Sequence, residues 1–152
     1  MNNIILQEQV RTILEEAYIN LIKQKFSAEL HKPPSLNIRI GNCTSYYDPY
    51  KNEIHLWILE WDAEAISNGE QSFSESENPK EWPVWQLTLI EELIHAYQKL
   101  VKRNDISPIG QELHSRFSMR FEGICHGPEF FTTLATVAEK LGVSPELLAS
   151  LI

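Results

Sequence analysis

The sequence predicts an α+β fold, organised as a single domain over residues 1–152, and three observations carry the prediction. A long stretch of apolar residues at helical spacing opens the chain, short alternating segments follow it, and further helix-period runs close it. With 152 residues and 43% hydrophobic content, there is enough apolar material for a full core without a second domain.

The elements follow in order. Ile4, Ile5, Val10, Ile13, Leu14, Ala17, Tyr18, Leu21, Ile22 and Phe26 recur at helical spacing, so roughly the first thirty residues read as one long amphipathic helix, ended by Pro33-Pro34. Leu36, Ile38 and Ile40 then alternate with polar residues and predict a strand, with Gly41-Asn42 as turn or bulge. A second strand is expected around Thr44 to Tyr47, a hairpin turn at Asp48-Pro49-Tyr50-Lys51-Asn52, and a third strand from Glu53 to Leu59. A small sheet of about three antiparallel strands is the expectation. Residues 67–83 are rich in Ser, Glu, Asn and Pro and read as a mobile surface loop, either a lid over a cleft or a disordered insertion.

From Val84 to Lys102 the helical pattern is strong: Leu87, Leu89, Ile90, Leu93, Ile94 and Tyr97 occupy one half of the wheel, and Thr88, Glu91, Glu92, His95, Gln98 and Lys99 the other. A loop with Pro108 and Gly110 leads to a short helix expected over Gln111 to Met119. Pro128 is placed as the first residue of a helix running to Leu141 and stopping at Gly142, and Ser144-Pro145 caps a last short helix. No internal repeat is visible.

Charge and cysteine content narrow the function. The net charge of -8 argues against a broad electrostatic grip on nucleic acid, although a small local basic patch such as Lys99, Lys102 and Arg103 is compatible with the sequence. Cys43 and Cys125 form neither a disulfide framework nor a C-x-x-C pair, which points to a reducing compartment. Met1 to Val10 has no basic segment leading into an apolar one, and no run reaches the length of a membrane span, so a cytoplasmic protein with no membrane partner is expected.

The chemistry concentrates in two short strings. Glu91-Glu92-Leu93-Ile94-His95 sits inside the strongest helical run, and His126-Gly127-Pro128-Glu129-Phe130 follows further along. In the zinc-peptidase motif H-E-x-x-H, side chains one turn apart project from one helix face to grip a metal, and the intervening Glu activates water. Here Glu92 and His95 occupy the base and second-ligand positions, and Glu91 stands in place of the first His. A carboxylate oxygen is a legitimate zinc ligand, and sites of two His and one Glu hold catalytic zinc. Taken by itself, the helix also fits a solvated surface face with Glu91, His95 and Lys99 at four-residue steps. His126, on the turn into the next helix, adds a third candidate ligand. Glu91, His95, His126 and Glu92 together supply three ligands and a base, the inventory of a catalytic zinc that keeps its fourth position for water.

Other candidates have ordinary structural explanations. His31 ends a helix and is placed to meet its last carbonyls. His55 lies on the strand face opposite Ile54 and Leu56, or in a cleft. Cys125 neighbours His126 but reads as a buried thiol. Trp57, Trp61, Trp82 and Trp85 read as core rather than substrate platform. No G-x-S-x-G elbow supports a serine hydrolase.

The run Glu91-Glu92-Leu93-Ile94-His95-Ala96-Tyr97, with His126-Gly127-Pro128-Glu129-Phe130 downstream, resembles the SprT-like zincin metallopeptidases, the Spartan-related family, whose pattern is H-E-x-x-H followed by H-G-P-E-F/W. The order of a long helix, strands and two motif-bearing helices is similar over most of the chain. The resemblance implies a zincin-like fold and a zinc-dependent endopeptidase acting on a peptide or protein substrate, with His95 and His126 as Zn²⁺ ligands and Glu92 as general base. Glu91 departs from the family's first His, and the segment between the motifs is longer than the family's and contains His114, a possible substitute ligand. No paired cysteines for a zinc ribbon are present, so DNA recruitment is not carried over. Two readings follow: hydrolysis of peptide bonds through a metal-activated water, or a catalytically impaired relative that uses the fold to bind a peptide or protein.

Overall fold

The computed structural model describes residues 3–101, 104–118 and 126–152. Among these residues the architecture is α+β: six α-helices and a three-stranded mixed sheet, which α1 and α3 contact. Helix α1 (Asn3–Lys25) runs into turns that end at Leu30, a little short of the expected length. It turns Leu6, Val10, Leu14, Tyr18 and Ile22 inward, one buried residue per turn. Strands β1 (Ser35–Ile40), β2 (Tyr46–Asp48) and β3 (Glu53–Ile58) follow.

The all-antiparallel sheet expected from the sequence is corrected. The order is β1-β3-β2: β2 and β3 form the antiparallel hairpin, whereas β1 runs parallel to β3, pairing Leu36 with Ile54 and Ile38 with Leu56. The physical reason lies in burial. Ile54, Leu56 and Ile58 of β3 are all removed from solvent, so β3 gains most as the central strand, and the chain after β1 crosses to the far side to supply β2 as an edge. The hairpin turn is fixed by Asp48, whose Oδ1 accepts from the backbone N–H groups of Tyr50 and Lys51, and by Asn52 at φ 50°.

Two further expectations change between residues 60 and 83. Helix α2 (Glu60–Ser67) occupies a stretch for which no helix was anticipated; Glu60 and Asp62 lie in its first turn, where carboxylates favour the helix dipole, and Ala63 and Ile66 are buried. The Ser- and Glu-rich segment after it is no free loop. Gln86, 1% exposed, accepts from the Ser74 N–H at 2.7 Å and donates to the Ser74 carbonyl at 2.9 Å. Trp82 Nε1 donates to the Ser76 carbonyl and Trp85 Nε1 to Gln71, and a 3₁₀ turn at Pro79–Glu81 closes the segment. Two buried tryptophans and a buried amide therefore fasten a polar strap that has few apolar anchors of its own, Phe73 among them.

Helix α3 (Val84–Val101) lies against β3 and β2, and α5 (Pro128–Leu141) lies against α3. Gly142 ends α5 in the left-handed conformation at φ 72°, and Ser144 caps α6 (Pro145–Leu151), both as the sequence indicates. Helix α4 (Pro108–Phe117) starts three residues earlier than expected, because Ser107 accepts from the Gly110 N–H and Pro108 takes the first helical position.

At the α4–α5 crossing, a Cβ on Gly110 would fall 2.0 Å from Thr132 Oγ1 and 2.8 Å from the Thr132 backbone. Thr132 cannot turn aside without losing the Ser107 N–H that donates to it. Gly110→Ala is expected to cost about 2–3 kcal/mol and lower the unfolding midpoint by about 5–10 °C in thermal melts. An unchanged midpoint would refute this tight crossing.

Candidate metal centre

Helix α3 presents Glu91 and His95 one turn apart, and His126 stands just before Gly127-Pro128, where α5 begins. Because α5 crosses α3 here, the three side chains converge. Their donor atoms all lie within 4.8 Å of one another, with His126 Nε2 3.9 Å from Glu91 Oε1 and the two imidazole centroids 5.1 Å apart. Donors about 2.0–2.2 Å from a shared ion lie about 3–4 Å from each other, so closure needs side-chain movements of about an ångström. The residues are therefore close enough to bind a metal ion, and the donor set of two imidazoles and one carboxylate suits a divalent cation.

Protonation favours the same chemistry. Burial, assisted by the neighbouring His126, lowers the His95 pKa to about 4 against a smaller opposing effect of Glu91, so its imidazole is neutral and available to ligate near neutral pH. Phe130, one turn into α5, stacks on His126 at 3.7 Å between centroids and 17° between planes, and lies 4.8 Å from His95. It restricts both imidazoles. The sequence reading passed over this residue, although it is the last letter of the HGPEF string.

Glu92 does not lie on a solvated face, as half of the helical wheel suggested. It is 6% exposed, enclosed where α3 meets the edge strand β2, and its carboxylate accepts a hydrogen bond from the Tyr47 backbone. Burial first, and then the charge of Glu91, raise its pKa to about 8, against the lowering effect of that hydrogen bond. The adjoining acidic pair thus divides by environment: Glu91 is partly open to solvent and faces the imidazoles, while Glu92 is enclosed.

The remaining candidates lie elsewhere. His55 is on the outer sheet face, 2.7 Å from Glu53 and stacked on Tyr46 at 4.4 Å. His114 sits on α4 beside Phe131 and is not in the cluster, so the substitute-ligand possibility is set aside. His31 is exposed beyond the turns after α1. Trp82 and Trp85 are core residues as expected, but Trp57 is only half-buried on the outer sheet face and Trp61 is 78% exposed. Cys125, Lys102 and Arg103 lie outside the described residues. No described helix is long and apolar enough to cross a membrane.

Comparison with protein-family models, curated proteins and solved structures gives no match, so the reading of this centre rests on its own geometry and chemistry.

Proposed function

We propose that this protein is a zinc-dependent metallopeptidase of the SprT-like zincin kind, hydrolysing peptide bonds in a peptide or protein substrate. The observation that carries the reading is the convergence of Glu91, His95 and His126 within 4.8 Å, with Glu92 one residue along the same helix. Glu91, His95 and His126 would hold the ion. Bound zinc supplies Lewis acidity and makes water a better nucleophile near neutral pH. The Glu92 carboxylate takes the proton of the attacking water and passes it to the leaving amine, the role of a general base and then acid. Its pKa of about 8 belongs to the metal-free protein, where it holds a proton near neutral pH; a divalent cation bound beside it would favour the carboxylate, the form that accepts the water's proton. Phe130 keeps the imidazoles oriented.

A second reading, a peptide-binding relative without hydrolysis, has one observation in its favour: Glu92 is enclosed and hydrogen-bonded to the backbone of β2. Zinc content by elemental analysis, together with cleavage of an unfolded protein such as casein, separates the two. Zinc-dependent cleavage supports the peptidase; bound zinc with no cleavage of any peptide in a broad panel supports the binding module.

The carboxylate at the first ligand position lowers the net positive charge at the metal and with it the Lewis acidity. Glu91→His, which restores a neutral imidazole there, is expected to raise peptidase activity, and titration calorimetry should show zinc affinity at least as high as that of the original chain. Clearly weaker zinc binding would mean that the centre is built around the carboxylate.

A further inference from the structure

A concave site lies beside α3, away from the metal centre. Gln86 and Ile90 contribute to it, and Ile90 projects about 100° around the helix from Glu91. The cavity measures about 540 Å³, within the range of sites that take up a side chain or small ligand. One wall is α1, which turns a second stripe, Ile13, Ala17 and Leu21, toward it beside the core stripe; the other is the strap from Phe73 to Glu77. Leu21, Phe73, Trp82, Ile90 and Leu141 give it an apolar lining.

Its charged groups are unequally divided. Glu16, Glu75 and Glu77 line it against Lys25 alone, and none of these four takes part in an ion pair among the described residues. The strap wall is held in place: Ser74 is bonded through both backbone groups to Gln86, and the Ser76 carbonyl accepts from Trp82. The backbone groups of Glu75 and Glu77, by contrast, have no hydrogen-bond partner among the described residues. A segment fixed at Ser74 and Ser76, with open backbone groups and exposed acidic side chains at Glu75 and Glu77 beside an apolar hollow, offers complementary contacts to a peptide of opposite charge.

We propose that this groove is a docking site for a basic, extended segment of a partner protein, which places an apolar side chain in the hollow and Lys or Arg side chains against Glu16, Glu75 and Glu77. Charge selects this occupant: an acidic segment would meet three carboxylates, and a neutral one would leave them unpaired. The site shares no residue with the metal centre, so docking stands or falls independently of peptidase activity.

The test is fluorescence anisotropy with a fluorescein-labelled Lys-Leu-Lys-Leu-Lys peptide at low salt, with Glu-Leu-Glu-Leu-Glu as the control. Binding of the basic peptide alone is expected, unchanged by chelator. The exposed pair Glu75→Lys and Glu77→Lys should weaken it at least tenfold, whereas the same charge change on α2, Glu60→Lys and Glu64→Lys, should leave affinity within about twofold. Ala17→Trp, which projects a bulky ring into the hollow, should weaken binding at least tenfold while circular dichroism stays native. Equal weakening by the two charge-reversed pairs would show mere attraction to an acidic protein and overturn the proposal. So would equal binding of the acidic peptide, or a response to hexylamine without any to the basic peptide.

Discussion

Glu92→Gln is expected to reduce zinc-dependent cleavage of casein by roughly 10²–10⁴-fold, the usual worth of general acid–base catalysis. The change is nearly isosteric, and the amide oxygen can still accept from the Tyr47 backbone, so the contact between α3 and β2 is kept. Zinc content should hardly move, because the donor atoms that converge belong to Glu91, His95 and His126. The pairing of lost cleavage with retained metal distinguishes a base from a ligand: His126→Ala should lose both. Equal cleavage by the Gln variant and the original chain would rule out Glu92 as the base.

In the metal-free protein, the same substitution should be stabilising, and the gain should grow with pH. The pKa of Glu92 is raised from 4.5 to about 8, so its contribution to stability is fully present below 4.5 and is lost as pH rises toward 8. That of His95 is lowered from 6.5 to about 4, so its contribution is present above 6.5 and is lost as pH falls toward 4. Between pH 4.5 and 6.5 the two slopes oppose each other and nearly cancel; outside that window stability falls on both sides. Removing the Glu92 titration eliminates the alkaline fall, worth on the order of 4 kcal/mol above pH 8. Thermal melts in chelator at pH 4.5, 6.5 and 8.5 should therefore show Glu92→Gln level with the original chain at the lowest pH and about ten degrees higher at the highest. Parallel pH profiles for the two proteins would contradict a buried, proton-holding Glu92.

The helices were legible wherever a run of apolar residues met a local stop or start signal. Pro128 and Gly142 bounded α5, Ser144 capped α6, and the wheel from Val84 gave α3, because these signals act within one or two turns of chain. Helix α2 was missed although Glu60 and Asp62 marked its start; it has only two turns of apolar pattern, and the neighbouring strand pattern obscured it. The strap after it was misread for a different reason. Two of its anchors, Gln86 and Trp85, lie in the following helix, and the two apolar residues within it, Phe73 and Trp82, are too isolated in a polar stretch to show that they pack on the core.

The sequence by itself determined the residue inventory of the candidate centre: Glu91, Glu92 and His95 at positions that a helix holds on neighbouring faces, and His126 next to a proline that begins a helix. Only the tertiary structure decided that α5 crosses α3 at that level, bringing three donors within 4.8 Å, and that Glu92 is enclosed by β2 while Glu91 stays partly open. It also decided that β3, not β2, takes the centre of the sheet. The division has a physical basis. Spacing along one helix fixes which side chains share a face, because the backbone geometry is local. Which of those faces meets solvent, a second helix or an edge strand depends on how the apolar surfaces of distant segments are buried together, and no single segment encodes that.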